Sequence, residues 1–277
     1  MVAMAQGFAA YMNACDFAVQ LRSQRVSRSE YMAFLSMMYP CVVGFNRALI
    51  LSIAKVDHVG HSSFVRALAE QLNEEQGHNQ MWRAAMELFG IDHTAVYSDF
   101  RSYVGSLSRE ELDRRTAGVL TALTRDPSNV SPGFFTDAPF PEPVVAICHH
   151  LWTSASCESV NYWEHFASQS GIEMVIFDVV SATVLPGVVQ NPELDLGPVS
   201  TQWWREHGRL PSDPVAVKTD EEKHLQMARI ALNRSDSARS HREPIVQRAE
   251  ETMRLFAAAL VSQSTAGKSF PIDRYLA

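Results

Sequence analysis

Apolar residues recur along most of the chain at steps of three and four, the spacing that gathers them on one face of a helix. No stretch sustains the alternation of a half-buried strand. The pattern predicts helices over about 3–22, 29–55, 62–89, 108–124, 143–170, 214–232 and 243–263, with shorter turns near 93–104, 174–184 and 199–207. Local chemistry supports several ends. Ser108 and Glu111 read as a capping box, Gly90 follows an apolar turn, and Asp213 caps a helix whose first turn takes Pro214. Two stretches, 126–143 and 186–214, are too rich in Pro and Gly for helix and read as long loops. With no internal repeat and no linker, residues 1–277 read as a single all-α domain.

The segment from Met32 to Ala54 carries one charge, Arg47, and is apolar enough to suggest a membrane span. Pro40, Asn46 and Arg47 in its middle argue instead for a helix buried all round in a helical core. Composition agrees with a well-cored globular chain: 46% of residues are apolar and 20% charged, and the net charge is −7. An acidic chain without a local basic run makes nucleic acid and anionic lipid unsuited as partners. Four cysteines, Cys15, Cys41, Cys148 and Cys157, form no CxxC pair, and the N-terminus lacks the basic start of a signal peptide. Both features point to reduced thiols in a cytoplasmic protein.

Ten histidines invite a search for metal ligands. Glu followed three residues later by His occurs twice, as Glu75-x-x-His78 and Glu221-x-x-His224, and this spacing puts acid and imidazole on one helical face. Glu74 and Asp220 stand one residue earlier, four before each His, as alternates. The rest of both faces is apolar, where unpaired charge is costly. Glu158, between Trp152 and Tyr162, is a third candidate to point inward. Carboxylate oxygens with imidazole suit Fe, Mn or Zn, and helical di-iron sites use inward Glu residues beside two Glu-x-x-His motifs. The plainer reading makes Glu74 and Glu75 a solvated pair and Asp220 to Glu222 a helix N-terminus. His58, His61, His149, His150, His165 and His207 read as surface or hydrogen-bonded core histidines, and Trp152, Tyr162, Trp163 and Phe166 as packing. Arg47 needs a partner, either a protein carboxylate or that of a substrate. Phosphate-binding glycine loops and the GxSxG hydrolase motif are absent.

The runs LNEEQGHNQMWRAAMELFGI (72–91), CESVNYWEHFASQSGI (157–172) and VAVKTDEEKHLQMARIAL (215–232) resemble, in order and separation, the three metal helices of the heme-oxygenase-like di-iron oxidases and oxygenases. The resemblance implies a bundle of about seven helices and a non-heme Fe(II) cofactor of two ions, with dioxygen as co-substrate. Glu75 (or Glu74) with His78 would take the first acid and imidazole positions, Glu158 the bridging carboxylate, and Glu221 (or Asp220) with His224 the last pair. Val217 stands where the family's last helix carries a further His, so either His149, His150 or His61 substitutes, or the site holds one ion weakly, or the metal has been lost. A ferritin-like site would want an acid on the helix before Glu75, and 32–54 has none. Heme degradation is not implied, since no His precedes His58. Metal-free thiaminase-like relatives use a Cys nucleophile, for which Cys148 and Cys157 are the candidates.

The function expected is oxidation of a small carboxylate or amino-acid-derived substrate in specialised metabolism, by hydrogen abstraction, N-oxygenation or fragmentation, with Arg47 clamping the substrate and a homodimer possible. The alternative is a metal-free protein of the same fold that binds a small molecule or a partner, a reading favoured by Val217.

Overall fold

The computed structural model describes residues 1–56, 59–125, 138–194, 196–210, 212, 220–263 and 269–277. Its helices are α1 (Val2–Ala14), α2 (Asp16–Arg22), α3 (Arg28–Lys55), α4 (Ser62–Leu88), α5 (His93–Gly105), α6 (Arg109–Arg125) and α7 (Glu142–Ser156). There follow α8 (Tyr162–Val179), a π-helical turn (Val180–Val184), α9 (Leu185–Gln190), α10 (Pro198–His207), α11 (Asp220–Arg234), α12 (Asp236–Ser240) and α13 (Arg242–Val261). The all-α class is therefore as the periodicity predicts. Among the described residues the nearest thing to a strand is one isolated bridge, Ile91 with Leu276, which pins the C-terminal tail beside Gly90. Gly90 itself sits at φ +75°, a backbone conformation L side chains avoid.

Two predicted helices are split. The first breaks at Cys15, whose backbone is extended. The second, expected as one helix over 143–170, ends at Ser156 and restarts at Tyr162. Two interactions hold that break open. The Lys55 ammonium donates to the carbonyls of Ser154 (3.1 Å), Cys157 (2.7 Å) and Val160 (3.3 Å), satisfying groups that a continuing helix would have paired. Asn161 then starts α8 with a capping box: its side chain accepts from Trp163 N, while Glu164 accepts from Asn161 N. A Ser27–Glu30 capping box likewise fixes the start of α3.

The core is one cluster centred on α3, α8 and α13, with α8 lying chiefly on α13 and α3 held between α4 and α7. Aromatic rings close one end of it. Trp82, Trp203 and Trp204 are in mutual contact and Phe34 packs on Trp82 and Trp204, with Trp82 Nε1 donating to the Leu35 carbonyl at 3.0 Å and Trp204 Nε1 to the Tyr31 hydroxyl at 2.8 Å. Trp82 and Trp204 thereby keep their apolar bodies in the core and their N–H groups satisfied. In α3 and in 162–190, both long and apolar enough to cross a membrane, 72% and 56% of the most apolar windows are buried inside the protein.

Candidate metal centre

The face of α4 that turns inward carries Gln71, Glu75, His78 and Trp82, at steps of four, three and four, all of them buried. Asn46 of α3 donates to the Glu75 carbonyl at 2.9 Å and ties this turn of α4 to the core. Three other helices bring one residue each to the same place: Glu173 from α8, His207 from the end of α10 and His224 from α11, each buried.

Two trios result, Glu75–His78–His207 and Glu75–Glu173–His224, and within each the donor atoms all lie within 4.8 Å of one another. Glu75 belongs to both. Its Oε2 is 3.3 Å from His78 Nδ1, and its Oε1 is 3.9 Å from His224 Nδ1. The two oxygens of one carboxylate thus face different trios, the disposition of a bridging ligand. The rings of His78 and His207 are 4.1 Å apart between centroids.

Outer contacts orient two of the imidazoles. His207 Nδ1 donates to the Trp203 carbonyl at 2.8 Å and its ring stacks on the Trp203 indole at 3.6 Å, which leaves Nε2 as the basic nitrogen. His224 Nε2 is 2.7 Å from Glu74 Oε2, so Nδ1 faces inward, 3.3 Å from Glu173 Oε1 but misaligned for a hydrogen bond. Gln71 donates to Glu173 from the same side. Burial alone would lower the His224 pKa, but the charges of Glu173, Glu74 and Glu75 outweigh it and push the group up to about 10. Burial raises the Glu173 carboxyl against the opposing pull of His224. Carboxylates that converge on one imidazole in a dry site leave negative charge for a cation to offset. The donor set, hard oxygens with imidazoles, suits iron, manganese or zinc.

The structure brings Glu75, His78 and His224 together. Glu158 is placed elsewhere: it is exposed in the turn between α7 and α8, because the helix expected to carry it is broken there, and Glu173 occupies the interior position instead. Glu74 stands outside both trios, on the far nitrogen of His224. Asp220 and Glu221 have side chains outside the described residues, as do Val217 and His58. None of the three substitutes is at the centre: His61 meets the Tyr162 hydroxyl, His149 meets Asp113, and His150 meets Thr252. The additional imidazole is His207. Its one sequence signal was Trp203 four residues earlier, too common a spacing to distinguish it; Glu173 was signalled only by being an acid inside a long apolar run. Arg47 is exposed and points away from the centre.

A narrow cavity of about 80 Å³ opens on the trios, with Glu75, Glu173 and His207 in its wall. The remaining wall is apolar, built from side chains such as Phe34, Ile172, Val180, Trp203 and Phe256, and among the described residues it holds no Lys or Arg. The π-turn supplies Val180 and Val184, a local irregularity of the kind that recurs at functional sites.

No protein-family model and no curated protein matches the chain. Among solved structures it is similar to a crystal structure of a TenA homolog from Pseudomonas syringae pv. tomato, with a TM-score of 0.58 over 94% of this chain and 88% of that chain, at 13% identity. Likeness at that identity concerns the fold: the all-α arrangement is shared across nearly the whole length.

Proposed function

We propose that the protein is a non-heme iron enzyme, of the heme-oxygenase-like di-iron kind, that uses dioxygen to oxidise a small organic substrate. The observation that carries this reading is Glu75, whose two oxygens face separate trios of buried ligands. Glu75, His78 and His207 would hold one ion, and Glu75, Glu173 and His224 the other. A pair of ferrous ions would supply the reductive activation of dioxygen, which no side chain in the site can provide.

The chain's own groups do the rest. Glu74 and the Trp203 carbonyl fix which nitrogen of His224 and His207 faces inward. Phe34, Trp82, Trp203 and Trp204 keep bulk water from the cavity and shape what enters it. A wall without a cation does not suit the charged groups of a free amino acid. The part of the substrate inside the cavity is therefore apolar, and an acidic head group would sit at the ions. The alternative, a metal-free binder of the same fold, draws on the pairing of His224 with Glu74, which neutralises charge without metal.

Anaerobic loading of untagged protein with ferrous iron, followed by desalting and metal analysis, tests the reading. Retention of about two irons per chain, reduced in His78→Ala and His224→Ala, supports it. No retention, or retention unchanged in both variants, removes it in favour of the metal-free alternative.

A further inference from the structure

Arg47, the single charge of the most apolar helix, is not used by the metal centre, and its surroundings form a second site. On α3, Pro40, Gly44 and Arg47 lie at steps of four and three on one face, while Met38, Cys41, Val42 and Phe45 line the inner cavity. The outer face borders a cleft of about 460 Å³ between α3, α5, α6 and α7, within the size range of small-molecule sites. The two linings share no residue. Between them stand the Cys41 and Cys148 thiols, 3.9 Å apart, one on each side.

Three guanidiniums line this cleft, Arg47, Arg101 and Arg109, and among the described residues no Asp or Glu does. In a chain of net charge −7 this is a local reversal of sign, assembled from positions far apart in sequence. Arg109 is near Asp113, at 3.8 Å. Arg47 has no carboxylate partner among the described residues: it donates to the Tyr97 hydroxyl at 3.2 Å and lies 4.9 Å over the Trp152 ring. Arg101, one helical turn beyond Tyr97 and on the same face of α5, has no ion-pair or hydrogen-bond partner among the described residues. Trp152, expected to be packing, is 44% exposed, an indole held open to solvent by a cation–π contact and not buried in the core. Phe100, Val104 and Leu112 continue the apolar wall.

We propose that this cleft binds an organic anion with a flat apolar body, its negative group taken by Arg47 and Arg101 and its body laid against Trp152 and Phe100. A guanidinium matches a carboxylate or sulfonate geometrically, and the aromatic wall rewards the body that carries it. The site is separate from the metal centre and does not depend on it.

Calorimetric titration of the metal-free full-length protein with naphthoate, and with its neutral isostere naphthalenemethanol, tests the proposal. Naphthoate is expected to bind at least about tenfold more tightly than the alcohol and than inorganic phosphate. Arg47→Gln and Trp152→Ala should each weaken it by at least about tenfold, and His78→Ala should leave it unchanged. Arg47 and Trp152 are solvent-accessible, so both variants fold, which circular dichroism checks. Absence of naphthoate binding at millimolar concentration overturns the proposal. So does equal binding of the alcohol or of phosphate, or an affinity that falls in His78→Ala but not in Arg47→Gln. None of these outcomes bears on iron retention.

Discussion

His224 and Glu74 are joined across α11 and α4 by a contact of 2.7 Å from Nε2 to Oε2, and this contact decides which ring nitrogen turns toward Glu75 and Glu173. Glu74 is half outside the site, yet it fixes the ring orientation of a residue within it. Such carboxylate–imidazole pairs tune ligand basicity and hold the ring in place. Glu74→Gln is expected to leave the fold intact and to weaken metal affinity by about 10- to 100-fold. Competition against a chelator of known affinity measures this; an affinity within twofold of wild type would show that Glu74 is only a surface acid.

Glu158 and Glu173 separate the sequence expectation from the structure. Glu173→Gln should cost the protein its iron, because a buried carboxylate is removed from one trio. Glu158→Gln should retain iron at the wild-type level, since Glu158 is exposed in a turn. Metal analysis of the two variants side by side gives opposite answers for the two placements.

Lys55 holds the α7–α8 break that puts Glu173 where it is. Its ammonium satisfies three carbonyls, and hydrogen bonds from a charged donor are worth about 1.5–3 kcal/mol. Lys55→Met should destabilise the fold by about 2–4 kcal/mol, seen as a lower urea midpoint, and should impair iron retention beyond what the loss of stability explains. A midpoint unchanged from wild type would mean that Asn161 alone holds the break.

Gly208 follows His207 directly and lies against the π-turn. A Cβ there would come within 2.5 Å of Val180 Cγ1 and 3.0 Å of Ser181 N. Gly208→Ala must therefore push the end of α10 outward, at a cost of about 1–3 kcal/mol, and carry His207 with it. Reduced iron retention with the helical content preserved is the expected result.

Two histidines remote from the centre govern acid stability. Burial lowers the pKa of His150 to about 3, with Arg248 adding to the effect, and lowers that of His165 to about 4 against the hydrogen bond to the Ala48 carbonyl. A group depressed in the folded state stabilises fully above its unfolded pKa, ordinarily about 6.5, and loses that contribution as pH falls below it. At pH 5 each should cost about 2 kcal/mol. Urea unfolding at pH 7.5 and pH 5 reads this loss against an opposite gain from His224, whose pKa is raised to about 10, so the share of the two histidines is the change in the pH difference between wild type and the His150→Gln, His165→Gln variant; an unchanged pH dependence would assign it to other groups.

Much of this architecture was legible in the chain. Helical spacing located α3, α4, α6 and α13 because each sets an apolar face against the core, and Glu75 and His78 were visible as an acid and an imidazole on such a face. What escaped was decided by tertiary contacts. Lys55 reaches about a hundred residues along the chain to end α7, so the break, and with it the exchange of Glu158 for Glu173, has only the Asn161–Glu164 pair as a local sign. His207 lies on a helix of ten residues whose position depends on the edge-on contacts among Trp82, Trp203 and Trp204. The basic cleft went unseen because Arg47, Arg101 and Arg109 come from three helices and form no run.

In the proposed centre the Glu75 carboxylate lies between two metal positions. Anomalous diffraction from crystals grown anaerobically with ferrous iron tests it most directly. Two peaks are expected, one beside His78 and His207 and one beside Glu173 and His224, with Glu75 between them. A single peak that leaves Glu75 uncoordinated, or no peak among these five residues, would contradict it.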